Sequence, residues 1–303
     1  FVYLFRIGAK SRGSGPGEMN APHQLALDKD GNLYVADTFN NRVQKYTKGG
    51  KFLMQFGDPT VFGGGNGSTG VGLRGIAVDG SGNIYTAAQI RKKIMKFDPA
   101  GTKLKEISVD PYPMCLTVKG DMLWAGQGNY IVKKYTLELG ESGTFASGSK
   151  FEIYGLGVAE DGNVFVSGYG QGSVTVYSPG GGLARNIGSN MGSNLEGLSV
   201  DKQGYLYVCD TYGSNQPTGG VGGYMFIYKQ SGGKTVLKCG SGYSGQEDII
   251  DPATGQKRVK KQPTDMAFPQ GVIADPQGNF VYLADSGNNR VQVWGVPGSV
   301  KDE

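Results

Sequence analysis

Six segments of this chain repeat one pattern: a short apolar run, a polar turn that carries glycine or a small polar residue, and a second apolar run. They read PHQLALDKDGNLYVADT from Pro22, LRGIAVDGSGNIYTAAQ from Leu73, PMCLTVKGDMLWAGQ from Pro113, IYGLGVAEDGNVFVSGY from Ile153, LEGLSVDKQGYLYVCDT from Leu195 and PQGVIADPQGNFVYLADS from Pro269. Alternation and the β-branched and aromatic content make these strands. A third run follows each pair: NRVQKYT, KKIMKFD, YIVKKYT, GSVTVYS, GYMFIYK and NRVQVWG. A fourth is clear in KFLMQFG, TKLKEI, LARNIG and TVLKCG, and in the third unit it is expected within Thr144 to Glu152. Four antiparallel strands repeated radially about every 40 residues describe the blades of an all-β propeller.

The sixth unit stops after its third strand. The missing fourth is at the other end of the chain, where FVYLFRIG (Phe1 to Gly8) resembles KFLMQFG and LARNIG. The N-terminal strand is therefore expected to complete the last blade and remove the open edge of the ring. The whole chain reads as one six-bladed domain, 1–303, with blades at about 22–57, 73–107, 113–152, 153–188, 195–240 and 269–296 plus 1–8. Glycine makes up 53 of 303 residues, well over twice the usual ~7%. It has no three-residue period and falls between the strands, where turns need it.

GNLYVADTFNNRVQKY and GNFVYLADSGNNRVQVW resemble the NHL repeat. The resemblance covers nearly the whole chain. Units one and six match best, and units three and four lack the Asp and the NxR. It implies a six-bladed propeller. The family spans enzymes, RNA readers and protein binders, so function must be argued from sites.

With strands a to d counted from the centre, the a-to-b turns are short (DKDGN, DGSGN, KGD, EDGN, DKQGY, DPQGN) and that face is expected to be low and plain. The long connections fall on the opposite, top face: Gly57 to Gly72, Thr211 to Gly223, and Cys239 to Phe268. Long loops on a rigid scaffold are where function concentrates. The large insertion mixes Tyr243, Ile249 and Ile250 with Lys257, Arg258, Lys260 and Lys261. Just before each inner strand, His23, Arg74, Met114, Tyr154, Glu196 and Gln270 are expected to align at the channel mouth on the top face. The next position is mostly small: Gln24, Gly75, Cys115, Gly155, Gly197 and Gly271. After strand b, Asp37, Gly126, Gly168, Asp210 and Asp285 are expected to return to the same rim.

Asp37 with Arg42 (ADTFNNR) recurs as Asp285 with Arg290 (ADSGNNR). The carboxylate can cap the turn and the guanidinium fork can bridge to it, so both pairs are read as structural. The resemblance also admits zinc lyases of the amidating type, but His23 is the only histidine and a zinc site wants three or four ligands. Calcium lactonases of the gluconolactonase type share the ring, and Glu196, Asp37, Asp210 and Asp285 could supply oxygens, without any DxDxDG loop. No metal or other cofactor is expected. Cys115, Cys209 and Cys239 form no disulfide framework and no CxxC motif. No GxSxG elbow and no phosphate loop is present, and no helix is expected.

RNA readers imply a basic top face. Arg74, Arg91, Lys92 and Lys93 cluster on blade two, but the formal net charge is only +4 and acids intersperse the insertion. The expected function is a non-catalytic binding or scaffold propeller whose top face meets a protein partner or a surface polymer. An anion or RNA reader, or a metal-dependent hydrolase or lyase at the channel mouth, is the alternative. No apolar run is long enough to span a bilayer. The chain starts at Phe1 without methionine and only 18% of its residues are charged, which suits a processed, extracytoplasmic protein.

Overall fold

Strands in the middle of a blade are buried on both faces, because neighbouring blades pack against each. Leu33–Asp37 (LYVAD) is buried at every position, while the outer Phe52–Phe56 (FLMQF) alternates between half-buried and exposed. This gradient from centre to edge recurs, and it explains why the inner repeats are the more apolar ones. The structure, a computed structural model, describes residues 2–9, 11–64, 71–147, 151–170, 172–188, 194–211, 223–229, 234–239, 247–250, 257–260 and 266–295.

Blade one holds β2 (Pro22–Leu27), β3 (Leu33–Asp37), β4 (Arg42–Tyr46) and β5 (Phe52–Phe56), after β1 (Val2–Ile7). Blade two is β6 (Leu73–Val78), β7 (Ile84–Ala88), β8 (Lys93–Phe97) and β9 (Lys103–Ser108). Blade three is β10 (Pro113–Lys119), β11 (Met122–Gln127), β12 (Ile131–Thr136) and β13 (Glu141–Ala146). Blade four is β14 (Ile153–Val158), β15 (Val164–Gly168), β16 (Val174–Tyr177) and β17 (Leu183–Ile187). Blade five is β18 (Leu195–Val200), β19 (Tyr205–Asp210), β20 (Tyr224–Lys229) and β21 (Lys234–Cys239). The insertion contributes a hairpin, β22 (Glu247–Ile250) with β23 (Lys257–Lys260), and blade six is β24 (Pro269–Ala274), β25 (Phe280–Asp285) and β26 (Arg290–Gly295).

Each blade is a four-stranded antiparallel sheet, and the sixth runs β24-β25-β26-β1. The fold is an all-β six-bladed propeller closed by its N-terminal strand. Ile7 stands opposite Val291 and Val2 opposite Gly295. The core is divided among the seams between blades. At the closing seam Ile7, Leu25, Leu33 and Val35 pack with Tyr282, Val291 and Val293.

Two local expectations are corrected. The outer strand of blade three is Glu141–Ala146, earlier than Thr144 to Glu152, because the c-to-d turn is as tight as in blades one, two and four: Leu139 N–H donates to the Thr136 carbonyl. A single helical turn, α1 (Pro59–Phe62), stands where no helix was expected. Asp58 caps it by accepting from Thr60 and Val61 N–H, Pro59 suits its first turn, and Gly63 ends it at φ 85°. Its Phe62 is fully buried. Among the described residues no helix is long and apolar enough to cross a membrane.

Deleting Phe1 to Gly8 should expose the free edge of β26 and strip cover from the closing seam. Burial of Ile7 alone is worth about 1.5–3 kcal/mol. The expected outcome is a melting temperature lower by roughly 5 °C or more, with aggregation visible by light scattering. An unchanged melting temperature and a monomeric profile would contradict closure by this strand.

Candidate binding site at the channel mouth

The inner strands share one irregularity. Leu73 faces Ala88 and Gly75 faces Ala87, so Arg74 is an extra residue without a partner on β7. The same bulge falls at Met114, Tyr154 and Gln270, and within His23–Gln24 and Glu196–Gly197. A bulge re-aims the side chain it frees. The six residues sit at equivalent places around a closed ring, and the structure brings all of them to the wall of one pocket. The mouth residues are thus part of their strands rather than preceding them.

Their charges are spent on one another. Arg74 Nη2 lies 3.3 Å from Glu196 Oε2, and its guanidinium sits 4.4 Å above the Tyr154 ring. Burial raises the Glu196 carboxyl above its usual range, against the pull of Arg74 and hydrogen bonds from Thr211 and Gln270. Burial, and then the Arg74 charge, hold the His23 imidazole well below its usual range, so His23 is neutral at neutral pH. The enclosed space is about 20 Å³, room for a single water.

Gln24 forms the floor. Its amide donates to the Leu116 carbonyl at 2.7 Å, and its Oε1 accepts from Ile76 N–H at 2.9 Å and Leu116 N–H at 3.0 Å. One side chain of blade one therefore ties the inner strands of blades two and three. Gly75 makes this possible, since a Cβ there would lie 3.0 Å from Gln24 Oε1 and 2.9 Å from the Ala87 Cβ. Below Gln24 a funnel of about 450 Å³ opens at the opposite face. Half-buried Leu27, Val78, Val118, Val158, Val200 and Ile273, one from each blade, contribute to its wall. That face is not plain: short turns limit what projects outward and say nothing of how far apart the inner strands stand.

Asp37 and Asp285, expected at the rim, are fully buried. Asp37 accepts from Asn20 N–H at 2.7 Å, Asn40 Nδ2 at 2.8 Å, Arg42 Nε at 2.8 Å and Gln44 Nε2 at 3.0 Å. Arg42 then donates to the carbonyls of Ser14, Gly15 and Glu18, pinning the segment that leads into blade one. Asp285 repeats the pattern with Ala267 N–H, Asn288, Arg290 and Gln292. The third-strand glutamines escaped the sequence reading, although NRVQ stands in both units.

The basic residues of blade two also have partners. Arg91 donates to the Thr60 carbonyl at 2.6 Å, Lys92 lies 2.9 Å from Asp110, and Lys93 pairs with Glu106. In the insertion, Ile249 pairs with Arg258, Ile250 with Lys257 and Glu247 with Lys260 along the hairpin backbone. Tyr243 and Lys261 lie outside the described residues, as do 212–222 of the blade-five loop and 65–70 of the first long loop. Gly126 and Gly168, expected after strand b, lie within it, Gly168 as its last residue in blade four and Gly126 one short of its end in blade three, and Asp210 is buried. Cys115 and Cys209 are buried free thiols, and burial pushes Cys115 up to about 12. Among the described residues no three His, Cys, Asp or Glu side chains are grouped to hold a metal.

The NHL repeat matches residues 19–46 and 266–294, the two segments that carry the Asp–Asn–Arg–Gln networks. The chain carries NHL repeats in the first and last blades of a six-bladed propeller. No curated protein sequence matches it. Solved structures similar to this propeller include a streptogramin B lyase, 15% identical, with a TM-score of 0.65 over 96% of this chain and 96% of that one. The virginiamycin B lyase from Staphylococcus aureus is 11% identical, with a TM-score of 0.63 over 91% of this chain and 95% of that one. Kuenenia stuttgartiensis hydrazine synthase is 15% identical, with a TM-score of 0.63 over 95% of this chain and 79% of that one. At these identities the likeness is one of fold alone.

Two outcomes follow from these contacts. Asp285→Ala strips a buried acceptor from Arg290 and Gln292, and should cost about 3–5 kcal/mol in urea unfolding. His23 should make stability fall in acid. Its folded pKa is depressed, so below about pH 6.5 the unfolded chain takes up a proton that the folded chain refuses. Stability contributed this way is present above the unfolded pKa and is lost as pH falls toward the folded one, with a limiting slope of about 1.4 kcal/mol per pH unit. His23→Gln should flatten the profile below about pH 6.5. Parallel profiles for the two proteins would show that His23 titrates freely.

Proposed function

We propose that this propeller is a binding module that presents its channel-mouth face, outside the cytoplasm, to a protein partner or a surface polymer. The observation that carries this reading is the state of the mouth. Its acid, its guanidinium and its aromatic ring are paired with one another around a space for one water. Such a surface offers shape and paired polarity rather than a chamber for a reacting molecule. A rigid ring holding a polar, partly aromatic face is the arrangement that interfaces use. The pairing of Lys92 and Lys93 with acids weighs against the anion-reading alternative, because phosphate binding draws on cations free to exchange counterions.

Catalysis at the mouth is the second reading. A neutral buried His23 and a Glu196 whose carboxyl is raised line the same pocket, and perturbed groups of this kind are what acid–base sites hold. Two similar propellers carry lyase names. Activity would require the Arg74–Glu196 pair to open.

Immobilised protein should retain a partner from an extract of its source, with or without a strong chelator. Replacing Gly242 to Thr264 by a short Gly-Ser link removes no blade strand. It should leave the melting temperature within a few degrees and lower partner retention by about tenfold. Full retention by the folded, shortened protein would make the insertion irrelevant to binding, and loss of retention in chelator would bring a metal into the account.

A further inference from the structure

Large apolar side chains that remain exposed on the mouth face stand on consecutive b-to-c turns: Ile90 (46% exposed) on blade two, Tyr130 (40%) on blade three and Tyr169 (53%) on blade four. Tyr130 immediately precedes β12. Asn41 and Asn289 hold the same place before β4 and β26. All three residues are left-handed, with φ of 51° at Asn41, 55° at Asn289 and 64° at Tyr130. Asparagine enters this region readily, whereas a bulky side chain there is an outlier. Blade three places a tyrosine at the position after a second left-handed residue, Asn129 at φ 57°. The ring is exposed, so burial does not offset the strain. Strain of this kind concentrates where a side chain has a task.

The surroundings fit one kind of task. The Tyr112 ring lies against Gly128, the first residue of the same turn, where an added Cβ would come within 2.8 Å. Tyr112 donates its hydroxyl to Glu152 Oε1 at 2.5 Å, and Tyr154 donates to Oε2 of the same carboxylate at 3.1 Å. Arg74 covers the Tyr154 ring and turns to Glu196. The rim therefore offers phenol rings with hydroxyl tips, a carboxylate fixed between two of them, and charges already paired within the protein.

We propose that this rim of blades two to four binds a neutral polysaccharide, which rests on reading the mouth face as the binding face. Sugar rings present C–H faces that lie on aromatic rings, and hydroxyls that both donate and accept. Tyrosine matches both properties, being apolar across its body and polar at its tip. An anionic polymer would need free cations, but Lys92 is paired with Asp110 and Arg74 with Glu196.

The test is depletion of the intact chain from solution by microcrystalline cellulose, chitin or cross-linked amylose, at about 0.15 M and about 1 M NaCl. At least one solid should retain the protein, equally at both salts. Tyr130→Asn restores the residue of blades one and six. It should leave the melting temperature unchanged or higher, yet reduce retention about tenfold, as should Tyr169→Ala. A stable Tyr130→Asn protein that is retained like the parent would overturn the proposal. So would failure of all three solids to retain the parent, or retention that vanishes at high salt. If the solids fail while the insertion variant still loses an extracted protein partner, the polysaccharide assignment falls and the binding-face reading stands.

Discussion

The antiparallel pairing of β1 with β26 joins the two ends of the chain, and the position of every other blade depends on it. Without it β26 is an open edge and the seam holding Ile7, Leu25, Tyr282 and Val291 is open to water. Each blade buries its faces against two neighbours, so no blade completes its own core. A ring in that state resists small displacements, since a shift at one seam must be absorbed by the others. This rigidity lets short turns hold functional side chains in fixed places.

The mouth follows from the ring and the bulges together. Six inner strands converge on one axis, and an extra residue in each frees one side chain toward it. Space there is limited, so five of the next positions are glycine or cysteine and the sixth, Gln24, crosses the gap. Polar groups brought so close must pair or pay for desolvation. Arg74, Glu196, Tyr154 and Gln270 pair, and His23 remains neutral.

Away from the axis, the repeated Asp–Asn–Arg–Gln set does a different job. It satisfies backbone groups of the b-to-c turn and of the segment leading into the blade, which is why it appears complete in blades one and six. Blade three departs from it, with Gln127 at the aspartate's place, paired with Pro113 and Ile131 as Asp37 is with Pro22 and Arg42, and with Tyr130 where Asn41 and Asn289 precede the third strand. A unit freed of the capping set can carry another residue at its turn, at the cost of a strained backbone. The departures from the repeat, rather than the repeat itself, mark what distinguishes this propeller.

The amino-acid sequence by itself determined the six blades, all but the outer strand of blade three, and the closing role of Phe1 to Gly8, because alternation and turn residues repeat locally and leave the last unit one strand short and the N-terminus with one to spare. It also placed His23, Arg74, Met114, Tyr154, Glu196 and Gln270 at equivalent positions, since alignment of repeats is alignment in space. Only the tertiary structure decided how those residues use one another. The Arg74–Glu196 pair joins positions 122 residues apart, and Gln24 reaches Leu116 across 92. No local pattern encodes such pairings. They depend on how closely the inner strands approach, as does the funnel beneath Gln24, and that distance is set by the closed ring as a whole.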